Sequence, residues 1–307
     1  MTAAERFFCA DSARTRGDAL AGTAPHGVVW ILVEYRGGWP PNGFDGLDLD
    51  PEIKALVYAA AQAARARVLL IRRHERARIR DTTAQRWAVL RHDGTGAHRQ
   101  HWGTWERDAD LAGIVAGLDA PGETGRPPVV LVCTHGRHDT CCALRGRPVA
   151  AALSERLPGQ VWECTHVGGD RFAASVVVAP DGVYYGGLDD TTAVTAVEEH
   201  LAGRVHAENL RGYTDLFPPQ QVAVAAALRR FGPAGRHDHT VLDTVRRQEH
   251  RWSVRLASRG PGPALLDVEV SARRTPSYQL TCRGRARSSF VAYEVTAIRT
   301  GPGDPTG

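Results

Sequence analysis

Two short segments hold the residue types that could do chemistry. The first runs Cys133-Thr-His135-Gly-Arg-His138-Asp-Thr-Cys141-Cys142, and the second runs Cys164-Thr-His166-Val-Gly168-Gly169-Asp170-Arg-Phe-Ala. Four of the chain's six cysteines fall in them; the other two are Cys9 and Cys282. Six cysteines in 307 residues are too few for a disulfide scaffold. The first residues, MTAAERFFCADSARTRGD, contain no apolar signal core, so a cytoplasmic protein is expected. In that setting a cysteine cluster points to metal or redox chemistry.

Soft thiolates beside imidazole suit zinc or an iron–sulfur cluster. The Cys-x-x-Cys knuckle of a structural zinc site is missing, and the long gap from Cys133 to Cys142 suits a loop wrapped around something larger. Gly168-Gly169 would let the backbone pass close to inorganic sulfide, or would simply form a tight turn. Cys141 and Cys142 stand late in a loop near a helix N-terminus, a position that favours thiolate. Cys164 and His166 are two apart on a strand and so share a face. A lone cysteine is usually a core residue, which is the reading for Cys9 and Cys282. His237 and His239, in RHDHT, read as a solvated loop.

Alternating elements must position these groups. GVVWILVEY (27–35) and ARVLLIRR (66–73) are short apolar runs that predict buried strands. Between them Asp50 and Pro51 open a helix to Arg65. QRWAVLR (85–91) and HRQHWGTW (98–105) predict a hairpin, and DADLAGIVAGL (108–118) a helix. The order then repeats: strand 127–133, helix 147–157 with Pro148 near its start, strands 159–166, 171–179 and 183–187, helix 191–201. Each half reads β-α-β then β-β-α, the order of a thioredoxin-like unit. The fold class predicted is therefore α/β with two tandem thioredoxin-like halves. The loop RGGWPPNGFDG of the first half lacks cysteine, and its Trp39-Pro-Pro is a candidate docking surface.

The charge divides unevenly. Residues 1–202 carry a net −3 and residues 203–307 a net +7. That step predicts three parts: a thioredoxin-like half without ligands (1–120), a half that holds the chemistry (121–203), and a small basic α+β module (204–307) with a helix after Pro218 and three alternating strands. Its arginine-rich stretch, RRTPSYQLTCRGRAR (273–287), could meet phosphate; a surface facing an acidic protein partner is preferred. No apolar run reaches the length of a membrane span, no glycine-rich nucleotide fingerprint is present, and Asp189-Asp190 is no glycosidase carboxylate pair. Cys141-Cys142 lacks the spacer of a thioredoxin-type thiol oxidoreductase, which leaves that role and simple zinc binding as alternatives.

The strings CTHGRHDTCC, THVGGDRFA and PDGVYYG, with CADSARTRGDALAGTAP near the start, resemble the sucrase/ferredoxin-like family, or thioredoxin-like ferredoxins. The resemblance covers most of residues 7–202. It implies a thioredoxin-like fold holding a 2Fe–2S cluster, with Cys133 and Cys142 on one iron and His166 on the other. Asp170 stands where the family's pattern often has a second histidine. On spacing it takes the fourth place, with Cys164, Cys141, His135 and His138 as alternates. The function implied is that of a carrier of single electrons, rather than an enzyme in its own right, working with a flavoprotein reductase or a ferredoxin-type partner.

Overall fold

The computed structural model describes residues 6–74, 84–94 and 98–300. Helix α1 (Cys9–Arg16) leads into β1 (Val29–Glu34), α2 (Pro51–Ala63), β2 (Arg67–Arg72), β3 (Gln85–Arg91), β4 (Arg99–Trp105) and α3 (Gly113–Asp119). The order returns as β5 (Val129–Cys133), α4 (Thr140–Arg156), β6 (Val161–Cys164), β7 (Val176–Ala179), β8 (Val183–Tyr185) and α5 (Asp190–Leu201). Strand β9 (Leu210–Tyr213) and helix α6 (Pro218–Phe231) follow. The chain ends in β10 (His239–Gln248), β11 (Arg251–Ser258), β12 (Leu265–Arg274), β13 (Tyr278–Gln279), β14 (Arg287–Ser288) and β15 (Val291–Thr300).

Nine strands form one mixed sheet in the order β4-β3-β1-β2-β6-β5-β7-β8-β9. Within each half the first two strands are parallel and the rest antiparallel. The halves meet through an antiparallel seam of β2 and β6, with Ile71 opposite Cys164 and Arg72 opposite Glu163. The chain is thus mixed α/β, and both halves build a single sheet. Every residue of β1 and β5 is buried, as expected of apolar runs covered on both faces. Alternate residues serve different cores. Trp30 and Leu32 join Leu131, Cys133, Cys164 and Tyr184 in a cluster that spans the seam. Ile31 and Val33 pack with α2 and α3, and Val130 and Val132 pack with α4 and α5.

The C-terminal strands form a separate antiparallel sheet, β10-β11-β12-β15. Its apolar face (Val254, Leu256, Leu266, Val268, Val270) shares one core with α6 and with Val130 and Val132. Two elements of this region differ from expectation. β9, four residues that include an arginine and a glycine, has no readable period, yet it extends the large sheet beside β8. β10 begins inside RHDHT, the segment expected to be loop, and adds a strand before the three expected ones; only His239 of its ten residues is buried, so no alternation marks it.

Helix α4 begins seven residues before the expected start. Asp139 caps it, accepting from the Cys141 N–H at 2.8 Å, and Pro148 lies inside the helix rather than at its head. Cys141 and Cys142 therefore sit in the first helical turn. Gly146 lets that turn approach β5: a Cβ there would run into the Cys133 carbonyl oxygen.

Candidate metal centre

Cys133 ends β5, Cys142 lies in the first turn of α4, and His166 follows β6. Their ligand atoms all lie within 4.8 Å of one another. Cys142 Sγ is 3.7 Å from His166 Nδ1 and 3.5 Å from Asp170 Oδ1, and His166 Nδ1 is 3.0 Å from the same carboxylate oxygen. His138 joins this edge, with Nε2 3.7 Å from Asp170 Oδ1 and its ring stacked on His166 at 4.0 Å between centroids. Parallel pairing explains the approach: β5 and β6 are neighbours with Cys133 opposite Cys164, so the segments that follow them leave the sheet side by side.

The electrostatics divide the two thiols. Hydrogen bonding to Cys142 and to His166 outweighs burial and holds Cys133 well below the usual thiol range. Sharing with Cys133, together with burial, pushes Cys142 well above it. The two thiols are thus pushed in opposite directions, Cys133 toward the thiolate and Cys142 toward the thiol. Burial alone would lower His166, but the hydrogen bond and charge of Cys133, with the charge of Asp170, leave it raised. Burial pushes the Asp170 carboxyl up against the pull of His166.

The loop of the first half that lacks cysteine closes over this edge. The Pro40 carbonyl lies 2.8 Å from His135 Nε2, and the Pro41 carbonyl 3.3 Å from His138 Nδ1. Trp39 is buried, edge-on to His135 and under the Arg72 guanidinium, so its ring is interior packing and not a docking surface. His135 Nδ1 in turn accepts the His166 N–H at 3.3 Å. Burial lowers His135 to about 4, which keeps it neutral as a hydrogen-bond partner. Beside the imidazoles opens a cleft of about 370 Å³, lined among others by Phe44, Tyr58, His138 and His166. The cysteines are 2% exposed, whereas the His166 side chain is 20% exposed. Histidine is the edge that faces outward.

Two further residues shape this site. Arg211 of β9 is 1% exposed and clamps the Gly168-Gly169 turn from behind. Its guanidinium donates to Gly168 O at 2.9 Å, Thr23 O at 2.7 Å and Thr23 Oγ1 at 3.0 Å. Both glycines have positive φ, and a Cβ on Gly169 would meet that guanidinium. Asp139 is the other: its cap position orients the turn that carries both adjacent cysteines.

The alternates separate. Cys164 is wholly buried and belongs to none of the converging groups among the described residues. Cys141 turns away from Cys142, as successive helix residues must, and its Sγ lies 3.4 Å from that of Cys282. Cys9 and Cys282, expected to be isolated core thiols, both gather at Asp139 with it. His237 lies near the His92 and His98 rings, and His239 is buried in β10.

The sucrase/ferredoxin-like family model matches residues 21–212, a span that holds every residue of this centre. The chain belongs to the sucrase/ferredoxin-like family. No curated protein matches it, and no solved structure does. No helix among the described residues is long and apolar enough to cross a membrane.

Proposed function

We propose that this member of the family is a one-electron carrier holding a 2Fe–2S cluster through Cys133, Cys142, His166 and Asp170. The observation that carries the reading is the convergence of two thiols and an imidazole within 4.8 Å, with a carboxylate against the imidazole. The donor set fits the group: two sulfurs for one iron, and a nitrogen and an oxygen for the other. Bound there, the cluster would supply a single-electron couple without proton-transfer chemistry on a substrate.

The chain's own residues do the rest. Cys142 and His166 favour the ionised form of Cys133, so Cys142 is the thiol whose proton is the harder to remove when both are to act as thiolate ligands. Asp139 and Gly146 fix the α4 turn against β5, and Arg211 fixes the turn before Asp170. The Pro40 and Pro41 carbonyls hold His135 and His138, and His135 holds the backbone of His166. The exposed His166 edge and the cleft beside it suit electron exchange with a docked protein. The basic C-terminal part (204–307) would steer an acidic partner of the flavoprotein reductase or ferredoxin type. The recurring strand order fits two thioredoxin-like halves, 1–120 and 121–203, only the second of which carries ligands.

Anaerobic reconstitution with iron and sulfide tests this. Two irons and two sulfides per chain are expected, with visible charge-transfer bands and an EPR signal on one-electron reduction. A colourless product with free thiols, or zinc bound to Cys133 and Cys142 in place of iron, overturns it.

A further inference from the structure

We infer that Cys9, Cys141 and Cys282, with Asp139, form a second metal site that takes a single zinc-class ion. It uses none of the four residues assigned to the cluster, and it stands whether or not that reading does.

Three segments far apart in the chain bring these groups together: the start of α1, the first turn of α4, and the loop between β13 and β14. Their ligand atoms all lie within 4.8 Å of one another. Cys141 Sγ is 3.4 Å from Cys282 Sγ, and Cys9 Sγ is 3.5 Å from Asp139 Oδ1. Four donors around zinc with Zn–S bonds of about 2.3 Å stand roughly 3.8 Å apart. Cysteines on a cuboidal iron–sulfur cluster would have to spread wider. The spacing therefore selects one ion, and three sulfurs with one oxygen select a thiophilic divalent metal of the zinc type.

Asp139 orients all three cysteines. Its Oδ1 accepts the Cys141 N–H at 2.8 Å, and its Oδ2 accepts the Cys282 N–H at 2.6 Å. The Cys9 N–H points to Cys282 Sγ at 3.3 Å. Backbone N–H groups directed at a carboxylate and a sulfur are what a metal-bound, negatively charged donor set needs. On binding, the three thiol protons go to solvent. The Oδ1 lone pair that now accepts from Cys9 Sγ is then free for the ion.

A packing argument points the same way. The excursion between β12 and β15 buries no side chain from Pro276 to Phe290, and β13 and β14 pair over only two residues each. Such a hairpin has no core of its own. It is held by Cys282 at Asp139, by Tyr278 under the Arg16 guanidinium at 4.6 Å, and by Phe290 against Arg171 at 4.0 Å. A metal staple there would tie the C-terminal sheet to α1 and to the turn that carries Cys142.

The test is a titration of the full-length reduced chain with Co²⁺, read by absorption and followed by displacement with Zn²⁺. One equivalent is expected to give an intense thiolate-to-cobalt band with tetrahedral d–d bands. The band should persist in Cys142→Ser and weaken at least tenfold in Cys282→Ser, whose side chain is only half-buried. In the unmutated chain, one equivalent of Zn²⁺ should shield the half-buried Cys282 from alkylation, and a chelator should unmask it. Absence of the band, a band abolished by Cys142→Ser but kept by Cys282→Ser, or a Cys141–Cys282 disulfide in freshly isolated, metal-free chain would each overturn the assignment.

Discussion

His166 Nδ1 and Asp170 Oδ1 stand 3.0 Å apart, four residues along a turn that two positive-φ glycines bend back on itself. This contact brings the carboxylate to the imidazole. An anionic oxygen in place of a neutral nitrogen stabilises the oxidised, more positive state of a cluster.

On the proposed cluster, Asp170→His should therefore preserve binding and raise the midpoint potential, by roughly 100 mV, since histidine ligation raises iron–sulfur potentials. Asp170→Ala should lower cluster retention at least ~10-fold. Redox titration followed by EPR checks both. An unchanged potential and signal in Asp170→Ala would remove Asp170 from the ligand set.

Arg211→Met should destabilise the fold by about 3 kcal/mol, because the half-buried carbonyls of Gly168 and Thr23 lose together the donor of a fully buried guanidinium. Arg211→Lys keeps the charge but cannot span both carbonyls with a planar fork, so it should recover only part. Denaturant midpoints measure the loss. A broader EPR line in the reconstituted variants would report the slackened turn before Asp170. Wild-type stability in Arg211→Met would show that the clamp is idle.

Gly146→Ala should invert the usual helix rule. Inside a helix, alanine normally gains about 1 kcal/mol over glycine. Here the added methyl meets the Cys133 carbonyl, so α4 must move away from β5. A net loss of about 2 kcal/mol is expected, together with poorer iron uptake because Cys142 travels with the helix. Thermal unfolding and iron analysis report the two effects; a rise in melting temperature contradicts the close approach.

The contrast between these residues shows what a sequence makes legible. β1 and β5 could be read because a strand covered on both faces needs an unbroken apolar run, and that requirement is local. The meeting of the two cysteine-bearing segments could be read because strand ends and the following turns bring neighbouring segments together, while the choice of Cys133, Cys142 and His166 within them came from the family resemblance. The start of α4 was hidden by Pro148, which usually marks a first turn, while the true cap, Asp139, lies just before the two cysteines it orients. Arg211 and the gathering of Cys9 and Cys282 at Asp139 are tertiary facts. Each depends on segments more than a hundred residues apart or on the path of an excursion with no periodicity, so no window of sequence contains them. β10 escaped for a related reason: an edge strand with one buried residue presents no alternation.

Acid stability should rest in part on Asp181. The carboxylate lies in the turn between β7 and β8, 2.5 Å from His98 Nε2 and 2.6 Å from His200 Nε2; Tyr185 OH backs His200 at 3.0 Å. Burial pushes the Asp181 carboxyl up, but the hydrogen bonds and charge of His200 and His98 outweigh it and hold it well below the usual range. Asp215, under His92 and Arg236, is held down in the same way. A carboxyl depressed in the folded state favours folding wherever it is ionised. The contribution is complete above the unfolded value of about 3.9 and is lost as pH falls below it toward the folded value. Asp181→Asn should therefore cost about 3 kcal/mol at pH 7, since it leaves the buried His200 and the half-buried His98 with one acceptor where there were two. The variant should also lose less stability than the wild type between about pH 4 and pH 2, because one titrating group has gone. Urea midpoints at pH 7 and at low pH decide the point: equal acid losses in both chains would mean that Asp181 does not carry the dependence.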